Sequence, residues 1–379
     1  MIKPNPFTPQ SGWEPRFFGG REEELNFFEK VLSESIKGAA NHMVILGEWG
    51  TGKTSLAKQL KKIAQSQGCP TAFCPLSNIS SRSALKDTIQ LIAQEMLLGL
   101  PKDAAVENAD NLLKDLGQLQ PQVKFTKFLL NLWGTIEDNT AVVFIDDVQN
   151  LDINAGVIDT LRSVLSRDEV IKNTNYLFVL LSTPRGWQDF IDKHNPVGRF
   201  FRKRIYLENL DQVETSEIID KTLSEAEVDF NDDIKKAIYD NTEGHPYELQ
   251  LLCSNLYDSQ LQANITNDIF IKALKNTLRE LGKDYFEALY RRASDREKEV
   301  LSILVEKNKP LSIADIRSVM ITEKRKAGFP IANIKNFLYR LYEKEIIKRK
   351  DSGEFEIIDP MFAKYLEVFE FQKGVKSYG

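Results

Sequence analysis

Gly47-Glu48-Trp49-Gly50-Thr51-Gly52-Lys53-Thr54 constrains the fold of this chain more than any other stretch. The spacing is G-x-x-x-x-G-K-[ST], whose glycines let backbone amides turn inward around phosphate oxygens. Such a loop works where a strand ends and a helix begins, because the helix N-terminus adds its dipole to the amides. The flanks agree: His42–Leu46 is an apolar run of strand character, and Thr54–Gln67 has helical periodicity. Four further apolar runs, Thr71–Pro75, Ala141–Ile145, Tyr176–Ser182 and Arg204–Leu207, alternate with helical stretches such as Ser83–Leu100. Strands apolar on both faces and separated by helices predict an α/β fold, a parallel sheet covered on both sides. The loop predicts a bound nucleoside triphosphate, with Gly47, Glu48, Trp49, Gly50, Thr51, Gly52, Lys53, Thr54 and Ser55 as its cradle. Lys53 is expected to reach the β- and γ-phosphates, and the Thr54 hydroxyl to ligate Mg²⁺.

Ala141-Val142-Val143-Phe144-Ile145-Asp146-Asp147 supplies the second half of such a site. An apolar strand ending in two carboxylates suits the place where metal and attacking water meet. Asp146 is expected to hold Mg²⁺, directly or through water, and Asp147 to orient or deprotonate the nucleophile. Aspartate is a methylene shorter than the glutamate of many fast ATPases. The expectation is therefore slow turnover, below about one per second.

Together with Phe18-Gly19-Gly20-Arg21-Glu22-Glu23-Glu24-Leu25, these motifs resemble the AAA+/STAND group of P-loop ATPases. The resemblance implies a sheet of the ASCE type, with Phe18, Gly19 and Arg21 near the adenine. Asp146-Asp147-Val148-Gln149-Asn150-Leu151-Asp152 is similar to the "DDxQxxD" form of STAND ATPases. Leu180-Leu181-Ser182-Thr183-Pro184-Arg185 falls where the group carries its first sensor. On that likeness Ser182 or Thr183 meets the γ-phosphate or the water, and Arg185 is a phosphate sensor. Gly198-Arg199-Phe200-Phe201-Arg202-Lys203-Arg204 lies where the group places an arginine finger. Arg199 or Arg202 would fill that role from a neighbouring subunit, which implies a homo-oligomer. Glu243-Gly244-His245-Pro246-Tyr247-Glu248-Leu249 resembles the motif of the helical lid, implying that His245 and Pro246 bring a helix N-terminus toward the nucleotide. The lid arginine of replication-initiator relatives is absent from His245–Gln250, a departure toward the STAND side.

From Asp211 to about Arg292 the pattern is helical throughout. Beyond it, Ser294 and Ser312 read as caps of two helices, and Ile334, Phe337, Leu338 and Leu341 stripe a third. Ile346–Lys350, the turn Asp351–Glu354 and Phe355–Ile358 then read as a hairpin. Three helices and a hairpin predict a winged helix-turn-helix. The layout expected is an arm over 1–15, an ATPase domain over 16–210, a lid over 211–290 and a winged-helix domain over 291–379. Residues 291–350 carry sixteen basic and eight acidic residues, net +8, in a chain whose overall charge is −5. Lys324, Arg325, Lys326, Lys335, Arg340, Lys348, Arg349 and Lys350 are thus the candidates for contact with double-stranded DNA.

Other function classes drop out. Three cysteines, Cys69, Cys74 and Cys253, match no zinc spacing and read as buried thiols of a cytoplasmic protein. Three histidines in all make a histidine-rich metal centre implausible. The longest apolar run, near Leu177–Leu181, falls far short of the roughly 20 residues of a membrane span. The N-terminus has no apolar leader core. Residues 102–122 read as an insertion without evident chemistry. The expectation is an ATP/ADP-binding, slowly hydrolysing switch that oligomerises and acts on DNA in replication, transposition, or mobile-element or defence processes. The alternative is a STAND-type signalling ATPase whose winged helix regulates the nucleotide pocket and whose partner is a protein.

Overall fold

The computed structural model describes residues 4–10, 14–76, 85–100, 120–136, 140–224, 226, 228–260, 265–322 and 330–371. Two compact units divide the chain: residues 10–209 form one, and residues 1–9 with 210–379 form the other.

The first unit is built on β1 (Met43–Gly47), β2 (Thr71–Pro75), β3 (Ala141–Asp146), β4 (Tyr176–Ser182) and β5 (Lys203–Leu207). Each strand lies within a residue of the run expected for it. All pairings are parallel, in the order β2-β3-β4-β1-β5. Alternation along the strands fills two separate cores. Val44, Leu46, Val143, Ile145, Phe178 and Leu180 pack on one side, with the helices Leu85–Gly99, Pro121–Trp133 and Val157–Leu165. Ile45, Phe144, Val179, Leu181 and Ile205 pack on the other, against the helices Glu22–Ile36 and Lys53–Ser66. A sheet buried on both faces explains why its strands read as continuous apolar runs. His42, the residue before β1, is half-buried beside Phe178, Phe200 and Phe201, and its Nδ1 accepts the Phe178 N–H at 3.1 Å. Burial pushes its pKa down to about 4, so the ring is neutral and structural.

In the second unit the N-terminal segment is a strap. Asn5 Nδ2 donates to the Ser254 carbonyl at 3.1 Å and to Asp258 Oδ1 at 2.9 Å. Phe7 is buried and stacks on Phe230, centroids 6.2 Å apart. The helices Gln212–Leu223, Asp232–Thr242, Pro246–Gln260 and Asn267–Leu281 follow, with side-chain caps from Asp211, Asn231 and Thr266 at three of them. The helices Asp295–Lys307, Ile313–Thr322 and Ile331–Glu343 come next. They precede an antiparallel hairpin of β6 (Ile347–Arg349) and β7 (Phe355–Ile357), with an isolated bridge from Leu311 to Phe355. Ser294 forms a capping box with Glu297, and Ser312 Oγ accepts the Asp315 N–H at 3.1 Å, as their sequence predicts. Leu278, Leu281 and Phe286 share one hydrophobic core with Ile303, Leu338, Phe355 and Phe362. Packing is therefore continuous from the helices before residue 290 to the hairpin after it. The three cysteines are buried, and no helix among the described residues is long and apolar enough to cross a membrane.

Candidate functional site

The carboxyl ends of β1, β3 and β4 gather the chemistry. Parallel open sheets offer their ligand crevice at that edge. β1 runs into the loop at Gly47, and Gly50 and Gly52 adopt φ of 76° and 89°, backbone that only glycine enters without strain. Lys53 opens the following helix, and its Nζ donates to the carbonyls of Gly47 and Glu48, each at 2.8 Å. The Thr51 hydroxyl donates to the Glu48 carbonyl at 2.9 Å, and Trp49 stands partly exposed at the tip.

Thr54 joins loop to strand. Its hydroxyl donates to Asp146 Oδ2 at 2.7 Å, across 92 residues of sequence, while Asp146 Oδ1 accepts the Asp147 N–H at 2.9 Å. Asp146 is buried, and burial raises its pKa; the Thr54 bond opposes that shift and the Asp147 charge adds to it. A hydroxyl and a carboxylate side by side are hard oxygen donors, the set Mg²⁺ takes when it also binds substrate phosphates.

Asp147 has φ 58°, left-handed backbone rare outside glycine, and its Oδ1 accepts from Gln149 Nε2 at 2.9 Å. Ser182 closes β4 opposite Leu46, its hydroxyl oxygen buried without a hydrogen-bond partner among the described residues. Thr183 caps the helix Pro184–Lys193, its Oγ1 accepting the Gly186 N–H at 3.1 Å, and Arg185 is half-buried in that first turn. The two candidates for the first sensor thus differ: one hydroxyl serves a cap and the other has no partner.

The remaining candidates are dispersed. Phe18 and Gly19 are half-buried, Phe18 against the core beneath the helix Glu22–Ile36, and Ser55 follows Thr54 in the loop's helix. Arg21 is buried, Nη2 donating to the Glu208 carbonyl at 2.7 Å and Nη1 lying 3.4 Å from Glu24 Oε1. Arg199 and Arg202 are exposed around the turn into β5, the edge strand. His245 and Pro246 belong to the other unit: Pro246 begins the helix Pro246–Gln260, and His245 Nδ1 accepts the Glu248 N–H at 3.4 Å.

Of the basic candidates, Lys324, Arg325 and Lys326 lie outside the described residues. Lys335 and Arg340 are exposed on the helix Ile331–Glu343, Lys335 Nζ sitting 5.7 Å from the Tyr339 ring centroid. On the hairpin, Lys348 and Lys350 each approach one oxygen of Glu356 at 3.2 Å, and the Arg349 guanidinium lies 5.9 Å from the Phe355 centroid. Glu356 therefore offsets part of the charge that the composition assigns to this hairpin.

A glycine-turned loop at a helix N-terminus, an ammonium, a hydroxyl–carboxylate pair and a second carboxylate are the kind of parts that bind and cleave a phosphoanhydride. Sequence reasoning assigned no role to Gln149, although it stands in the motif that follows β3. The signal was its spacing of two from Asp147 in the single turn of 3₁₀ helix Val148–Asn150.

Comparison with known proteins agrees with this geometry. Residues 18–179 match the family model described as AAA ATPase domain. A protein of Methanocaldococcus jannaschii, described as an uncharacterized HTH-type transcriptional regulator, is 19% identical over 370 residues, covering 91% of this chain and 88% of its own. The structure of a Walker-type ATPase of Pyrococcus abyssi is similar with a TM-score of 0.66 at 18% identity, covering 93% of this chain and 97% of its own. That of the ORC2 protein of Aeropyrum pernix, in ADPNP–ADP complexes, is similar with a TM-score of 0.65 at 13% identity and 98% coverage of both chains. The fold is thus that of AAA+ P-loop ATPases, and the family match falls on the segment that holds the phosphate loop and both aspartates.

Proposed function

We propose that this chain is a nucleotide-driven switch that binds ATP and Mg²⁺ at Gly47–Ser55 and hydrolyses ATP slowly. The observation that carries the reading is the Thr54–Asp146 bond of 2.7 Å, which brings the phosphate loop to the strand-end carboxylates. Mg²⁺, when bound, would supply charge neutralisation for the phosphates, with Thr54 and Asp146 holding it. Lys53, now on two carbonyls of its own loop, would exchange them for β- and γ-phosphate oxygens. Asp147 would orient or deprotonate the attacking water, and Ser182, its hydroxyl buried without a partner among the described residues, would meet the γ-phosphate or that water. Arg185 would sense phosphate, and Arg199 or Arg202, exposed by the edge strand, would act across a subunit boundary in a homo-oligomer. The three helices and hairpin after residue 291 are read as a winged helix that meets duplex DNA through Lys335, Arg340, Lys348, Arg349 and Lys350. The protein would work in the cytoplasm. The test is ATP turnover and ATP binding in Asp147→Asn: binding should persist and turnover should drop to a small residual rate. Turnover at the parental rate would remove Asp147 from the chemistry.

A second reading is a STAND-type signalling switch with a protein partner. Two observations favour it: Glu356 offsets Lys348 and Lys350, and Ile331, Tyr339 and Tyr342 expose apolar surface on the helix that would read DNA. Duplex binding across a salt series, with and without ATP, separates the two.

A further inference from the structure

Asp147 poses a positioning problem. An aspartate is short for delivering a carboxylate to water, and its terminal torsion is broad, so an unrestrained Asp147 would spread over many orientations. We infer that Gln149 is the positioning residue for the Asp147 carboxylate and that Gly186 seats Gln149. The inference rests on the reading of Asp147 as the group that handles the attacking water.

Gln149 Nε2 donates to Asp147 Oδ1 at 2.9 Å, within the turn Val148–Asn150. That bond fixes the plane of the carboxylate and leaves Oδ2 to accept from water. The amide is oriented by chemistry, since turning it over would set its oxygen against the carboxylate. Its Oε1 is buried and has no hydrogen-bond partner among the described residues. A glutamine kept only for packing would satisfy that oxygen or be replaced by an apolar side chain, because an unpaired buried acceptor is destabilising.

Gln149 is held from behind. A Cβ at position 186 would come within 2.5 Å of Gln149 Cβ and 3.3 Å of Gln149 Cα, so only glycine lets the two segments close. Gly186 is itself fixed by its N–H on Thr183 Oγ1 at 3.1 Å. The first turn of the helix Pro184–Lys193 therefore leans on Gln149, and Gln149 on Asp147. That turn follows directly on Ser182 and carries Arg185. A shift there on phosphate binding or release changes the aim of Asp147, which couples the occupancy of the site to its capacity to turn over.

The experiment measures ATP turnover and ATP affinity in Gln149→Leu, Gln149→Glu and Gly186→Ala, and repeats Gln149→Leu in an Asp147→Asn background. Leucine fills the same space without a donor, and glutamate keeps the shape but removes it. Both Gln149 variants should fall roughly 10- to 100-fold in turnover, the worth of a hydrogen bond to a charged group. ATP affinity should stay at the parental value, and Gln149→Leu, which also removes the unpaired acceptor, should not lower the melting temperature. Gly186→Ala should reduce turnover in the same way; if it fails to fold, the Gln149 pair decides. In the Asp147→Asn background Gln149→Leu should cost nothing further, a non-additivity that poorer packing would not produce. Parental turnover in Gln149→Leu beside an Asp147→Asn reduced to its residual rate, or additive effects in the double variant, would overturn the role of Gln149 alone. Parental turnover in Asp147→Asn would overturn the assignment of Asp147 and the role of Gln149 with it.

Discussion

Glu248 should make the second unit lose stability as pH rises above the ordinary carboxylate range, and removing its ionisation should abolish that loss. It lies in the first turn of the helix Pro246–Gln260, is fully buried, and faces Asp359, the carboxylate to which its protonated form can donate a hydrogen bond. Burial holds its pKa well above the usual carboxylate value of 4.5; the Asp359 and Glu243 charges add to the shift and Lys364 opposes it. Lys364 is already engaged, donating to Asn241 Oδ1 at 2.6 Å, and Asp359 accepts the Phe362 N–H at 3.0 Å. In the folded state Glu248 therefore keeps its proton at pH values where the unfolded chain has released it. Its contribution is fully present below about pH 4.5 and is lost as pH rises toward the raised folded value. Between those limits the unfolded state is favoured by about 1.4 kcal/mol for each pH unit. Glu248→Gln keeps the shape and cannot ionise. Urea unfolding of parent and variant at pH 5, 6, 7 and 8 should show the variant gaining on the parent as pH rises, by at most about 1.4 kcal/mol per unit, until the raised folded value is passed. A difference that is the same at pH 5 and pH 7 would refute the reasoning, since an amide that merely packs worse has no pH dependence.

Lys53→Ala should weaken ATP binding at least about 100-fold, the worth of one or two charge-assisted bonds, with the fold intact because Lys53 Nζ holds carbonyls of its own polar loop rather than filling a hydrophobic core. Calorimetry checks it. An Arg199→Ala, Arg202→Ala double variant mixed with Lys53→Ala should recover turnover at mixed interfaces, and a chain that stays monomeric with a non-hydrolysable ATP analogue would rule the finger out. Neutralising Lys348, Arg349 and Lys350 should flatten the log–log salt dependence of duplex binding by about 0.9 for each phosphate no longer neutralised, whereas Glu356→Gln should tighten binding. A parental chain with no duplex affinity at low salt, in either nucleotide state, would favour the protein-partner reading.

The sheet was legible because its strands are buried on both faces, so that Val142–Ile145 and Leu177–Leu181 leave no polar interruption to misread. The caps at Ser294 and Ser312 were legible because their partners, Glu297 and Asp315, lie three residues on. Continuity of the second core was not. Leu278, Leu281 and Phe286 share a core with Phe362 and Tyr365, some 80 residues further along the chain, and helical periodicity carries no information about packing at that range.

Roles within the site divide along the same line. A motif names the atoms that touch a ligand, since their chemistry dictates residue type and spacing: Lys53, Thr54 and Asp146 converge as the pattern requires. It says little about which charges the rest of the chain has already engaged. Arg21 reads as a nucleotide contact, yet its guanidinium reaches the Glu208 carbonyl and Glu24. Lys348 and Lys350 count as two charges toward DNA, yet both reach the same glutamate on the facing strand, because Lys348 pairs with Glu356 in the hairpin register. Two ammonium groups around one carboxylate leave a net charge of about +1 where composition counts two. Affinity for a phosphate backbone at this hairpin then depends on whether a phosphate can displace Glu356. The substitution at Glu356 tests that competition more sharply than removal of any lysine would.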